Sequence, residues 1–75
     1  MAADHVGEVL REMRKACGKS QDDVASEAGL SRNGLHLIET KQSDPSLRNV
    51  ERIARSTDSS LLIVIANADH KARKP

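Results

Sequence analysis

The sequence predicts an all-α domain of four to five short helices built around a helix-turn-helix, with a short β-strand at its C-terminal end. Three observations carry this expectation. Apolar residues recur at helical spacing through most of the chain. Serines stand where helices should begin (Ser20, Ser31, Ser46), and Gly18, Gly29 and Pro45 stand where connections should fall. Near the C-terminus the pattern gives way to Ile63, Val64 and Ile65, consecutive β-branched residues that favour a strand.

The first helix is expected over Asp4 to Cys17. Val6, Val9, Leu10, Met13 and Cys17 share one helical face. Asp4 can cap its start, and Gly18 can end it in the left-handed conformation. Arg11, Arg14 and Lys15 gather at the end where the helix dipole favours cations. Gly7 weakens the first turn, so fraying is expected there. Cys17 is the single cysteine, which rules out a disulfide within the chain. Its place on the apolar face reads as a small buried hydrophobe, with a reactive thiol as the alternative.

The second helix opens with Ser20 and, three residues on, Asp23, in the manner of a capping box. Asp22 and Asp23 put negative charge at the positive end of the dipole. Val24, Ala25 and Ala28 make its buried face, and Gly29 stops it. Gly29, Leu30 and Ser31 form a tight connection, with Leu30 expected between the two helices. Capped helix, tight turn and capped helix together make a helix-turn-helix. In the third helix, Ser31 to Lys41, Leu35 and Ile38 should enter the core. Arg32, Asn33, His36 and Thr40 then lie on other faces. Arg suits guanine and Asn suits adenine, each through paired hydrogen bonds in the major groove. An ordinary amphipathic helix with a solvated face is the competing reading, and the flanking elements decide against it.

A turn follows around Pro45, which disfavours helix at Asp44. Ser46 caps a fourth helix with Leu47, Val50, Ile53 and Ala54 on one face and Arg48, Arg52 and Arg55 off it. Thr57 to Ser60 is turn chemistry. Leu61 to Ala68 reads as a strand; a short helix in which Leu61, Leu62, Ile65 and Ala66 share a face is the alternative. A lone strand has no partner for its backbone groups. Pairing with the same strand of a second chain would supply one, making Leu61, Leu62, Ile63, Val64 and Ile65 dimerisation residues. The expected organisation is a DNA-binding domain over 4–57, a dimerisation segment over 58–69 and a basic flexible tail over 70–75.

The bulk properties narrow the function. A chain of 75 residues without Phe, Tyr or Trp builds one small domain with a modest core, which makes oligomerisation expected. A net charge of +1 means that nucleic-acid binding must rest on a local basic patch. Neither a signal peptide nor an apolar run of membrane-spanning length is visible, so a soluble cytoplasmic protein is expected, with no membrane partner. No metal-ligand cluster or glycine-rich phosphate loop is present, so an enzyme, a metal site and a cofactor are all unexpected.

LREMR, SQDDVA, GLS, the IE pair of Ile38 and Glu39, and DPSL occur in that order and at these spacings. In this the chain resembles the Cro/CI-type, or Xre, helix-turn-helix family over about Val6 to Leu61. The resemblance implies a lambda-repressor-like bundle that binds operator DNA, commonly as a dimer. Two departures stand out. The family usually has Gly soon after the IE pair, where this chain has Thr40 and Lys41. The strand-like C-terminus is similar instead to antitoxin-repressors partnered with HipA-type toxins, whose C-terminal strands pair across the dimer.

The resemblance places Arg32, Asn33 and Leu37 toward the bases, with Gly34 and His36 beside them. An exposed Leu37 can meet a thymine methyl, or pack in the dimer. Gly34 can let the helix approach the bases closely. Phosphate contacts are expected from Ser20 and Gln21 at the start of the second helix, from Ser31, from Thr40, Lys41, Gln42 and Ser43, and from Arg48. Arg14 and Glu39 match a family ion pair joining the first and third helices. The expected function is a sequence-specific regulator of double-stranded DNA, a repressor acting as a homodimer on a palindrome. The alternative is an antitoxin that neutralises a toxin protein and regulates its own promoter.

Overall fold

In a computed structural model, residues 3–73 are described and form α1 (Ala3–Ala16), α2 (Gln21–Ala28), α3 (Arg32–Glu39), α4 (Leu47–Ser56) and α5 (Leu61–Arg73). No strand occurs among these residues. The serine caps do what their positions predict. Ser20, Ser31 and Ser46 each accept a hydrogen bond from the backbone amide three residues on, at Asp23, Gly34 and Asn49. Gly18 and Gly29 take left-handed backbone after α1 and α2 (φ 75° and 73°). Helix α1 starts at Ala3, so Asp4 lies within its first turn and not at the expected cap position.

The core is one cluster. Val6, Val9 and Leu10 of α1 meet Val24, Ala25 and Ala28 of α2, Leu35 and Ile38 of α3, and Val50, Ile53 and Ala54 of α4. Met13, Leu30 and Leu61 pack partly buried against it, so Leu30 is less enclosed than its position suggested. With no aromatic side chains, the helices close the core by approaching one another. Gly7 shows how far this goes. It is buried, and a Cβ there would collide with the Ile38 carbonyl oxygen at the end of α3. The residue expected to fray α1 is where α1 rests on α3.

The expected strand is a helix. In α5, Val64 and Ala68 fall on one face, are buried in the same core, and are flanked by half-buried Leu61. That face packs against α1 and α4. Helical propensity differences for β-branched residues are only about half a kcal/mol each. Burying one Val side chain stabilises by about 1.5–3 kcal/mol. A helix also satisfies its own backbone groups, so no second chain is needed to pair them. The resemblance to HipA-type antitoxins rested on that strand, and a toxin partner loses its ground with it.

Two smaller expectations change as well. His70 to Arg73 continue α5 where a flexible tail was expected; Lys74 and Pro75 lie outside the described residues. Lys71 reaches across to α1, with Nζ 2.9 Å from Glu12 Oε2 and 3.5 Å from Glu8 Oε1. The hydrogen bond to Glu12, foremost, raises the Lys71 pKa. Cys17 is exposed, although its amide still donates to the Met13 carbonyl at the end of α1; its thiol meets the Arg14 carbonyl.

A buried ion pair ties α1 to α3. Arg14 Nε and Nη2 donate to Glu39 Oε2 and Oε1 at 2.8 and 3.0 Å, a two-pronged contact. The Glu39 side chain is fully buried and that of Arg14 is 11% exposed. Hydrogen bonding from Arg14 to Glu39 raises the guanidinium pKa. The remaining prong, Nη1, donates to the Lys19 carbonyl at 3.0 Å and so fastens the turn between α1 and α2.

Two outcomes follow for stability. Gly7→Ala should destabilise the fold by about 1–3 kcal/mol through overpacking, despite the roughly 1 kcal/mol helix-propensity gain; urea denaturation measures it, and a more stable variant would refute the close approach. Arg14→Met alone should cost about 3–5 kcal/mol by stranding the Glu39 charge, whereas Arg14→Met with Glu39→Leu should lose much less. Melting temperatures of both variants check this, and equal losses would deny the coupling.

Candidate nucleic-acid interface

The core determines which side of α3 faces outward. Leu35 is fully buried and Ile38 nearly so, which leaves Arg32, Asn33 and His36 exposed. Arg32 and Asn33 occupy the first turn, where a helix entering the major groove end-on presents side chains to base edges. Arg32 Nε stands 3.7 Å from Asp22 Oδ1 of α2, with both side chains about two-thirds exposed or more. Such a pair is weak in water.

Leu37 is half-buried, less open than expected. Gly34 has a local role: its amide donates to Ser31 Oγ at 2.9 Å, and a Cβ would stand 3.0 Å from that hydroxyl. Close approach to a ligand is not needed to explain it.

The start of α2 is less free than its sequence suggests. Ser20 Oγ accepts from the Asp23 amide. The Gln21 side chain turns inward: Nε2 donates to Glu39 Oε1 at 3.0 Å and lies 3.4 Å from His36 Nδ1. It thereby links the buried ion pair to the outer face of α3. This was not legible in sequence, because the partners are 15 and 18 residues apart. What Gln21 and Ser20 can still offer a phosphate is backbone at the positive end of α2.

Beyond α3, Thr40 to Ser43 is strapped back onto the helix end. Thr40 Oγ1 donates to the His36 carbonyl at 2.8 Å and accepts from Gln42 Nε2 at 2.7 Å. The Gln42 and Ser43 amides both donate to the Leu37 carbonyl, at 2.9 and 3.2 Å. Lys41 takes left-handed backbone (φ 63°), the conformation a glycine adopts without steric cost. Lys41 thus takes a backbone conformation that suits the glycine usual there in the family the chain resembles. Lys41, Ser43 and Arg48 are exposed.

Lys19 is a further residue that sequence reasoning passed over. Its Nζ donates to the Ser56 carbonyl at 2.6 Å and to Glu27 Oε1 at 2.7 Å, closing the end of α4 against α2. Among the described residues no three side chains of His, Cys, Asp or Glu group to hold a metal ion. Among the described residues no helix is long and apolar enough to cross a membrane.

Comparison with known proteins agrees with this architecture. The helix-turn-helix family HTH_3 matches residues 10–64. The plasmid copy control protein CopR of Streptococcus agalactiae is 34% identical over 56 residues, covering 75% of this chain and 59% of CopR. The chain thus spans less than two thirds of that relative. Among solved structures, the restriction-modification controller protein C.AhdI of Aeromonas hydrophila superposes with a TM-score of 0.77 at 32% identity, covering 83% of this chain and 94% of its own. The clp gene regulator ClgR of Corynebacterium glutamicum shares the fold, with a TM-score of 0.88 at 18% identity over 95% of this chain and 76% of its own. A match over most of the sequence and the serine-capped α2–turn–α3 unit lead to one conclusion: the chain belongs to the Xre-type helix-turn-helix family of DNA-binding transcription regulators.

Proposed function

We propose that the protein is a sequence-specific repressor that binds a palindromic operator as a homodimer. One observation carries this reading: Arg32, Asn33 and His36 stand exposed on a helix whose opposite face is locked into the core. Arg32 would read guanine and Asn33 adenine, with Leu37 beside them at the groove wall. Backbone at Ser20 and Gln21, with Ser31, Thr40, Lys41, Gln42, Ser43 and Arg48, would meet phosphates on either side. With a net charge of +1, affinity would come from these local contacts. The names of CopR and C.AhdI, a copy control protein and a controller protein, agree with a regulatory role.

The dimer contact is assigned to α5. Leu62 is 77% exposed and Ile63 49% exposed, adjacent on its outer surface. Leu61 and Ile65 are half-buried beside them, while Val64 is buried within the chain's own core. The apolar residues read from sequence as a dimer strand would thus serve from a helix, less Val64. Two-fold pairing through α5 would set two α3 helices in successive major grooves, with half-sites about 34 Å apart.

Selection from a random DNA pool at near-physiological salt should enrich a palindrome with that spacing; retention without enrichment would leave only backbone binding. In the same assay Arg32→Ala should relax preference at one base position and cost about 1–3 kcal/mol, and a loss uniform across sequences would make Arg32 a phosphate contact. Leu62→Glu should shift the protein from dimer to folded monomer in sedimentation, and an unchanged dimer would place the contact elsewhere.

A further inference from the structure

We infer that Gln21 holds the His36 ring in the tautomer that donates a hydrogen bond outward, and so sets which base His36 rejects. This rests on the base-reading role of α3 proposed above. The argument begins at the buried ion pair. Glu39, forked by Arg14, is a carboxylate and can only accept hydrogen bonds. The Gln21 amide must therefore turn its NH2 group, and not its oxygen, toward Glu39 Oε1, at 3.0 Å. The same Nε2 lies 3.4 Å from His36 Nδ1. An amide nitrogen offers only hydrogens, so Nδ1 must supply the lone pair. A neutral imidazole with a bare Nδ1 carries its proton on Nε2.

His36 is exposed on α3, one turn after Arg32. Its Nε2–H is then a fixed donor on the ring edge away from Gln21. In the major groove guanine offers two acceptors, O6 and N7, whereas cytosine offers an amino donor. A fixed donor can be met by guanine N7 or O6, adenine N7 or thymine O4 and conflicts with the cytosine amino group, so it selects against cytosine; an imidazole free to change tautomer is less selective. Both amide hydrogens of Gln21 are engaged, with Glu39 and with His36. Gln21 thus acts as a positioning residue, and its side chain has no hydrogen left for a phosphate.

The ring 15N shifts and long-range couplings of the labelled 75-residue chain, at alkaline pH where imidazoles are neutral, test this directly. A His36→Ala spectrum assigns the signals. Free imidazole is a mixture, so the Nδ1–H form is the readout. It should be about fivefold scarcer in the wild type than in Gln21→Ala, and most abundant in Gln21→Glu, whose carboxylate can only accept. DNA selection with Gln21→Ala should show preference at one base position per half-site weakened about fivefold, the worth of one hydrogen bond, with the other positions unchanged. Nδ1–H as abundant in the wild type as in Gln21→Ala, or a base preference unaffected by Gln21→Ala, overturns the inference. Absence of any enriched sequence overturns the proposed function and the base-reading half with it, while the ring spectrum still decides the tautomer.

Discussion

The contact on which this small fold most depends is the two-pronged bond between Arg14 and Glu39. Few apolar atoms are available to a chain of this length without aromatic residues, so orientation must come from directional contacts as well as from burial. The guanidinium ties α1 to the last residue of α3, and its third nitrogen fastens the α1–α2 turn through the Lys19 carbonyl. Gln21 adds α2 to the same carboxylate. Three helices are thus referenced to one buried charge pair. Such a pair contributes little net stability over an apolar replacement. What it supplies here is a directional tie at the end of α3, which adds to the burial of Leu35 and Ile38 in setting which residues face outward.

Helix α3 is held by three kinds of force with separate jobs. Leu35 and Ile38 hold it down through burial. Ser31 and the Thr40 to Ser43 turn close its two ends with hydrogen bonds. Gly7 sets how closely α1 can lie against it, because α1 meets the Ile38 carbonyl with no side chain between them. An eight-residue helix would be unstable in isolation. Tertiary contacts therefore do for α3 what length cannot, and its outward face stays free for side chains that need no packing role.

The helix-turn-helix was legible because its signals are local. Ser20, Ser31 and Ser46 act on amides three residues away, and Gly29 relieves a strain in its own backbone. The Arg14–Glu39 pair was expected from family resemblance alone, as the partners are 25 residues apart. Where local signals misled, a long-range contact had prevailed. Gly7 has a poor helix propensity but the right size for the contact it makes. Gln21 has a residue type suited to phosphate but a partner in Glu39.

By itself the sequence determined where α2, α3 and α4 start, which residues are apolar, and which polar residues crowd around Ser31 to Lys41. Those properties depend on a residue and its near neighbours. The tertiary structure alone decided the state of Leu61 to Arg73 and the direction of the Gln21 amide. Ile63, Val64 and Ile65 favour a strand in isolation, but α1 and α4 present a groove that accepts Val64 and Ala68 only at helical spacing. Burial of that face outweighs a propensity difference of tenths of a kcal/mol per residue, and that surface exists only once the other helices have packed.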